Sequence, residues 1–364
     1  MHSLRTNLGS HVKSPEPLLR KSLMLHYAPF IDKLIDVPLD ENNQPALPNS
    51  PSYLVAIDKA PGKTTSNSSF VPDTSLQFVW DSVSTGHLKT CAYKYYLSTY
   101  LGWTFKIQPV KMAFGIAFHK LKEVWAHLCA HGVHKETALK RVVRCAGLLG
   151  ERLPEGPNTH TKETLIRAIT LYIIHFWDDA AETIILPSGD PAVEVDIRYP
   201  FTSINGVDHY IVVHVDELVT FQGGTYFSDV KSTGTYLNKQ FFSKFDNDNQ
   251  MKLYDLSTNV FLDQETSGGI IDGVQVQVNG VNFHRHLLQT SPARREDFMN
   301  DLEAWLRTAT FYAEQGHYPQ NESACTHYGG CQFLPICTKP KVQHEMYLRT
   351  YFQQKTWDPV DPRN

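Results

Sequence analysis

The sequence predicts an α/β fold with a small mixed central sheet flanked by helices. Three observations predict it. Between Trp80 and about residue 184 apolar residues recur at helical spacing, the pattern of amphipathic helices. From Ala192 the period falls to two, in three stretches rich in Val, Ile, Tyr and Phe, as half-buried strands require. A helical stretch, NQMKLYDLSTNVFLD, then interrupts the strands before a further strand or hairpin, so helices and strands are packed as layers of one domain.

Taken in order, residues 1–75 carry scattered Pro, Ser and Asn (PALPNSPS, APGKTTSNSS) and predict a loop-rich arm. Residues 76–340 form the domain, and 341–364 a tail. Ser84 is placed to cap a helix running through HLKTCAYKYYLSTYLGW. A second helix, GIAFHKLKEVWAHLCAHG, contains His119; KETALKRVVRCAGLLGERL is a third, and TKETLIRAITLYIIHFWDDAAETI a long fourth. AVEVDIRYPF, DHYIVVHVDELVTF and GTYFSDVKST are strands, and turns at Asn205-Gly206 and Gly223-Gly224 favour an antiparallel meander. After the intervening helix comes GGIIDGVQVQVNGVNFHRHLLQ. The last long helix, REDFMNDLEAWLRTATFYAEQG, ends at Gly316 and leads into a group of cysteines.

The formal net charge of -4 excludes a protein that is basic all over. Contacts to phosphates would need a local basic strip, and Lys135, Lys140 and Arg144 in KETALKRVVR supply the best one. No run of about 18 apolar residues marks a membrane span, and the first residues lack the apolar stretch of a signal peptide. The expected location is therefore intracellular, in the cytoplasm of a cell or of a virus-infected host. Thiols stay reduced there, and clustered cysteines more often bind metal than pair as disulfides.

The chemistry-bearing residues concentrate on the second and third strands. Asp216 lies on one, and Asp229, Val230 and Lys231 lie on the other. Asp229 and Lys231 are two apart, so they share a face, and an antiparallel hairpin brings Asp216 near Asp229. Two carboxylates on a rigid sheet suit a hard divalent cation such as Mg2+. Glu194 on the first strand is a further acidic candidate, and Gln250 and Tyr254, four apart, share one helical face.

Asp216 followed by Asp229-Val230-Lys231 resembles the D…D-x-K pattern of the PD-(D/E)XK nucleases. Gly115 to His119 is similar to the G-x-x-x-H segment of the RecB-like branch, and Gln250-x-x-x-Tyr254 to its Q-x-x-x-Y. The resemblance implies a restriction-endonuclease-like core that hydrolyses DNA. His119, Asp216, Asp229 and the Val230 carbonyl would hold one or two Mg2+ or Mn2+ ions, with Lys231, Gln250 and Tyr254 in the catalytic site. It further implies an exonuclease acting on single strands or duplex ends, in recombination, repair or phage DNA metabolism. A structure-selective endonuclease and an inactive DNA-binding module are the alternatives.

Cys325, Cys331 and Cys337 are spaced at two equal intervals of C-x5-C, one ligand short of a tetrahedral thiolate site. LKTCAYKYYL, with Cys91, resembles the N-terminal cysteine segment of iron–sulfur members of that branch. This implies a [4Fe–4S] cluster on Cys91, Cys325, Cys331 and Cys337, stapling the N-terminal helical region to the C-terminus. A zinc site using His327 with three cysteines is the alternative.

Overall fold

The computed structural model describes residues 69–107, 109–156, 159–326, 330–355 and 359. Most of the predicted N-terminal arm lies outside the described residues. The chain enters through β1 (Val79–Trp80) and helix α1 (Ser82–Thr90). Asp81, not Ser84, caps α1: its carboxylate accepts from Ser84 N at 2.7 Å, and Ser84 Oγ reciprocates from the third helical position. The reason is the capping box, which satisfies two orphan donors at once. The predicted helix also breaks, because Cys91 is extended (φ -164°) between α1 and the short α2 (Ala92–Tyr95), which runs on as a π-turn over Tyr96–Tyr100.

After β2 (Trp103–Phe105), three helices follow: α3 (Val110–Ala130), α4 (Lys135–Gly150) and α5 (Lys162–His175). α5 stops at His175, well short of the predicted end. β3 (Glu182–Thr183), β4 (Val193–Ile204), β5 (Val207–Phe221) and β6 (Gly224–Thr233) come next. β4, β5 and β6 form the predicted antiparallel meander. Its two turns hold left-handed pairs, Asn205-Gly206 (φ 51° and 80°) and Gln222-Gly223 (φ 49° and 80°). Such pairs match the twist of the flanking strands. The second turn is thus one residue earlier than the sequence predicts, and Gly224 already belongs to β6.

The short α6 (Lys239–Ser243) and then α7 (Asn249–Leu262) lead to β7 (Gly268–Gln277), which runs parallel to β6. β8 (Gly280–Leu288) returns antiparallel. All residues of β7 but the last are buried, as expected of a strand covered on both faces. Phe227 of β6 packs so closely that a Cβ on Gly269 would lie 2.3 Å from its ring, so only glycine fits. The long α8 (Pro292–Gln315) ends at left-handed Gly316, the usual way to stop a helix.

Among the described residues the sheet has seven strands, β1-β5-β6-β7-β8 with β3 and β4 on the other edge of β5. It is a mixed sheet between two helical layers, as predicted. One core, with Phe114, Phe118, Ile169, Val230 and Val274, lies beneath α3 to α5; the other, with Leu218, Phe227, Met251 and Leu302, lies beneath α7 and α8. Beyond residue 337 the chain forms α10 (Lys341–Tyr351) and β9 (Phe352–Gln354), after the single turn α9 (Leu334–Cys337). β9 pairs with β2, and Leu97, Trp103, Phe333, Ile336, Leu348 and Phe352 make a third small core.

A buried ionic network fastens the first core to the sheet. Asp272, wholly buried in β7, accepts from Tyr172 OH at 2.7 Å and from Arg285 Nε at 2.7 Å, while Arg285 also forks onto Asp179 at 2.7 Å. Replacing Arg285 by Met leaves Asp272 charged and underpaired, which costs about 3–5 kcal/mol. Urea denaturation is expected to show that loss as a lowered midpoint with an unchanged slope; an unchanged midpoint would remove the network from the stability account.

Candidate active site

The sheet forks at the predicted carboxylates. The β5–β6 ladder runs from Phe221↔Gly224 to Glu217↔Ser228 and ends there. Beyond that point β5 pairs with β4 and β1, while β6 continues along β7. Asp216 and Asp229, next in register, stand at the crotch of the fork. His119 enters from α3, with Nδ1 2.8 Å from Asp216 Oδ2 and Nε2 3.9 Å from Asp229 Oδ1. One ligand atom from each of His119, Asp216 and Asp229 lies within 4.8 Å of the others, the one such set among the described residues.

These residues suit a divalent cation. Asp229 is 0 % exposed, yet among the described residues its oxygens meet no donor but the Lys231 ammonium, and Asp216 Oδ2 none but the His119 imidazole. Lys231 Nζ is 2.5 Å from Asp229 Oδ2, an ion-pair contact that does not meet the directional requirement of a hydrogen bond. Buried carboxylate lone pairs without donors are costly unless something compensates them. Hard oxygens with one imidazole accept Mg2+ or Mn2+.

The charges confirm a tightly coupled group. Burial raises the Asp229 carboxyl to about 6, against Lys231 and with help from the Asp216 charge. Burial also acts to raise Asp216, but the charges of His119, Lys231 and Lys122 outweigh it and hold that carboxyl below the usual range. For His119 and Lys231 burial favours the neutral form, and the two aspartates more than reverse it, so both are raised.

Gln250 and Tyr254 complete a ring around the fork. Asp248 caps α7 by accepting from Gln250 N and Met251 N. Lys231 Nζ donates to Gln250 Oε1 at 2.9 Å, Gln250 Nε2 donates to Tyr254 OH at 2.9 Å, and Tyr254 OH donates to Asp216 Oδ1 at 3.2 Å. The four-residue spacing places both side chains on one face, and the amide joins the ammonium to the phenol. Burial and the aspartates keep Tyr254 protonated, so it remains a donor.

The family model of the PD-(D/E)XK nuclease superfamily matches residues 84–338, which include every member of this ring. The chain belongs to the PD-(D/E)XK nuclease superfamily. Members of this superfamily are metal-dependent nucleases that act on DNA with Mg2+ or Mn2+. No curated protein matches the sequence. Twelve chains of solved structures match. One, titled "Crystal structure of SSO0001", has 10% identity and a TM-score of 0.29, over 63% of this chain and 95% of that one; so distant a likeness adds nothing to the assignment.

In this PD-(D/E)XK chain the four predicted cluster thiols converge at the junction of the N- and C-terminal segments. Asn321 N donates to Cys91 Sγ at 3.4 Å, Tyr93 N to Pro319 O at 3.0 Å, and Cys331 N to Cys325 O at 2.9 Å. Burial pushes the Cys337 thiol up to about 12, reinforced by Cys331, Cys91 and Cys325. Burial and then Cys331 and Cys91 raise Cys325. All four are free thiols, as are Cys129 and Cys145, and His327 lies outside the described residues.

The basic strip is not brought to the carboxylates. α4 packs on α3 and α5, in the outer part of the helical layer. Lys135 Nζ donates to the Trp177 carbonyl and pairs with Asp178 at 3.8 Å; Lys140 and Arg144 are half-buried and have interaction partners. The Val230 side chain is buried in the core beneath α3 to α5. No helix among the described residues is long and apolar enough to cross a membrane.

Sequence reasoning missed Lys122. It lies one turn beyond His119 and buries an ion pair with Glu217 (2.9 Å), the neighbour of Asp216, while also donating to Ser228 Oγ, the neighbour of Asp229 (3.1 Å). α3 is thereby locked to both arms of the fork. A lysine inside the apolar stripe of an amphipathic helix was the available signal. Glu194 has φ 52° and lines a cleft with His119 and Asp216. Burial, then the Asp216 and Glu123 charges, push its carboxyl well above the usual range.

Proposed function

We propose that the chain is an exonuclease that hydrolyses phosphodiester bonds in single-stranded DNA or at duplex ends, serving recombination, repair or phage DNA metabolism. The observation that carries the hydrolytic part is the fork, with three ligand atoms within 4.8 Å and Lys231 Nζ 2.5 Å from Asp229. His119, Asp216, Asp229 and the Val230 carbonyl would hold Mg2+ or Mn2+. The ion supplies Lewis-acid stabilisation of charge building on the phosphate and acidifies water at the site. Lys231 positions the attacking water and offsets negative charge in the transition state, a role worth about 10²–10³ in rate. Gln250 holds Lys231, and Tyr254 holds Asp216, so that both remain aimed at one phosphate. The complete ligand set speaks against an inactive DNA-binding module.

On this reading Cys91, Cys325, Cys331 and Cys337 hold a [4Fe–4S] cluster with a structural role. Their convergence supports it.

The exonuclease reading is tested by digesting end-labelled linear and circular DNA, single- and double-stranded, with Mg2+ or Mn2+. Linear substrates are expected to shorten from their ends while circles persist. Nicking of circles would make the chain a structure-selective endonuclease of the same chemistry.

A further inference from the structure

On the side of the sheet facing α3 to α5 lies a cavity of about 350 Å³, between α3, α5 and the strands β5 to β8. Lys122, Ala126 and Glu217 line both this cavity and the small cleft holding His119, Glu194 and Asp216. The cavity therefore adjoins the candidate metal centre. Its volume is at the low end for small-molecule sites. One nucleoside-sized group fits, and a duplex does not.

Each cation at its walls has an acidic partner, and Glu182 with the second aspartate on Arg285 leaves the lining net negative. Lys122 is bonded to Glu217, and Arg285 to both Asp272 and Asp179. At the rim Lys135 is paired with Asp178 and lies over the Trp177 ring, 5.9 Å from its centroid. Such a lining offers little to a phosphate. What remains is aromatic: Trp125 and Trp177 meet at 5.9 Å with their planes tilted by 39°, and Tyr172 and Phe176 stand beside them. Thr183 and Ser228 add neutral polar edges. Aromatic faces with uncharged polar edges match the chemistry of a nucleobase.

We propose that this cavity receives one base of the DNA strand whose phosphate lies at the metal centre, stacked on the Trp125–Trp177 corner. The proposal rests on the nuclease reading above. Trp125 lies about 9 Å beyond His119 along α3 by the helical rise, within reach of a base adjoining that phosphate. A pocket whose cations are all engaged by carboxylates stacks the base and leaves the phosphate to Lys231 and the metal ligands, so the strand is held at two points of different chemistry.

The test measures binding and not cleavage. Dye-labelled deoxyadenosine pentamers are titrated by fluorescence anisotropy, once in EDTA and once in Ca2+, with a single abasic residue stepped along the strand. One abasic position is expected to weaken binding about tenfold, the scale of one base–aromatic stack, and the other positions to have little effect. Trp177→Ala removes a stacking face and Ala130→Phe fills the space. Either variant, checked for a normal thermal transition, is expected to bind the intact pentamer as weakly as the wild type binds the sensitive abasic one. If Trp177→Ala does not fold, Ala130→Phe and the wild-type series decide. Equal affinity at every abasic position, full affinity in the folded variants, or no pentamer binding in either buffer would overturn the proposal. So would tryptophan quenching by free deoxyadenosine monophosphate combined with a position-independent strand series, since the occupant would then be a free nucleotide. Failure to digest DNA with Mn2+ would sink the nuclease reading and leave these binding results standing.

Discussion

Asp229→Ala is expected to abolish metal-dependent DNA cleavage and to unfold, in EDTA, at or above the wild-type temperature. Both halves follow from the same carboxylate. Asp229 is fully buried and its oxygens are met by the Lys231 ammonium alone; in the metal-free fold burial outweighs that contact and raises the carboxyl to about 6, so the charged form carries a net desolvation cost. Its removal takes away a ligand and the partner of Lys231 while relieving that cost. Lys231→Ala should lower the rate by at least about 10²–10³ yet leave metal affinity closer to wild type, because Lys231 is not a ligand. Mn2+ titration followed by electron paramagnetic resonance separates the two variants. An Asp229→Ala protein that digests DNA at the wild-type rate would show that the fork is not the active site. One that unfolds far below wild type would show that the carboxylate is structural.

If the four thiols hold the proposed iron–sulfur cluster, Cys91→Ser is expected to remove it as thoroughly as Cys331→Ser. Anaerobically purified wild type should be brown, with about four irons per chain and broad absorbance near ~400 nm, as thiolate-ligated clusters show. Either substitution exposes an iron to solvent, whichever end of the chain supplied the sulfur. The thermal transition should fall in both variants. By the reasoning used for disulfides, a link closing a loop of this length contributes about 5–6 kcal/mol. The fall should be partial, because β2–β9 pairing and the core around Trp103, Phe333 and Phe352 also join these segments. Cys129→Ser and Cys145→Ser should leave the colour unchanged. A colourless wild type with one zinc would replace the cluster by a zinc site and spare the nuclease.

Much of the fold and of the candidate site is legible in the sequence because its signals are local. Period two over residues 193–233 and helical spacing in α3, α4, α5, α7 and α8 are fixed by neighbours a few residues apart, so the α/β class follows from pattern alone. The same holds for Asp229 and Lys231, which share a strand face by their spacing, and for Gln250 and Tyr254, which share a helical one. Asp216 followed from the antiparallel hairpin that sets it near Asp229; His119 and Cys91 needed more, namely the ordered resemblance to a family.

What only the tertiary structure decided is long-range pairing. Nothing near Glu217 in sequence announces that Lys122 will neutralise it, or that Arg285 will bridge Asp272 to Asp179. These partners are separated by loops whose closure leaves no periodic trace. The fork is of the same kind. The residues of β5 would suit a longer hairpin, yet the ladder stops at Glu217↔Ser228; farther along, β1 and not β6 pairs with β5 at Tyr210–Ile211, while β6 keeps β7 on its opposite edge. The chain by itself determined which ligands are present. The long-range pairing of β5 with β1 and of β6 with β7 decided where the sheet opens, and so placed two carboxylates and an imidazole within reach of one ion.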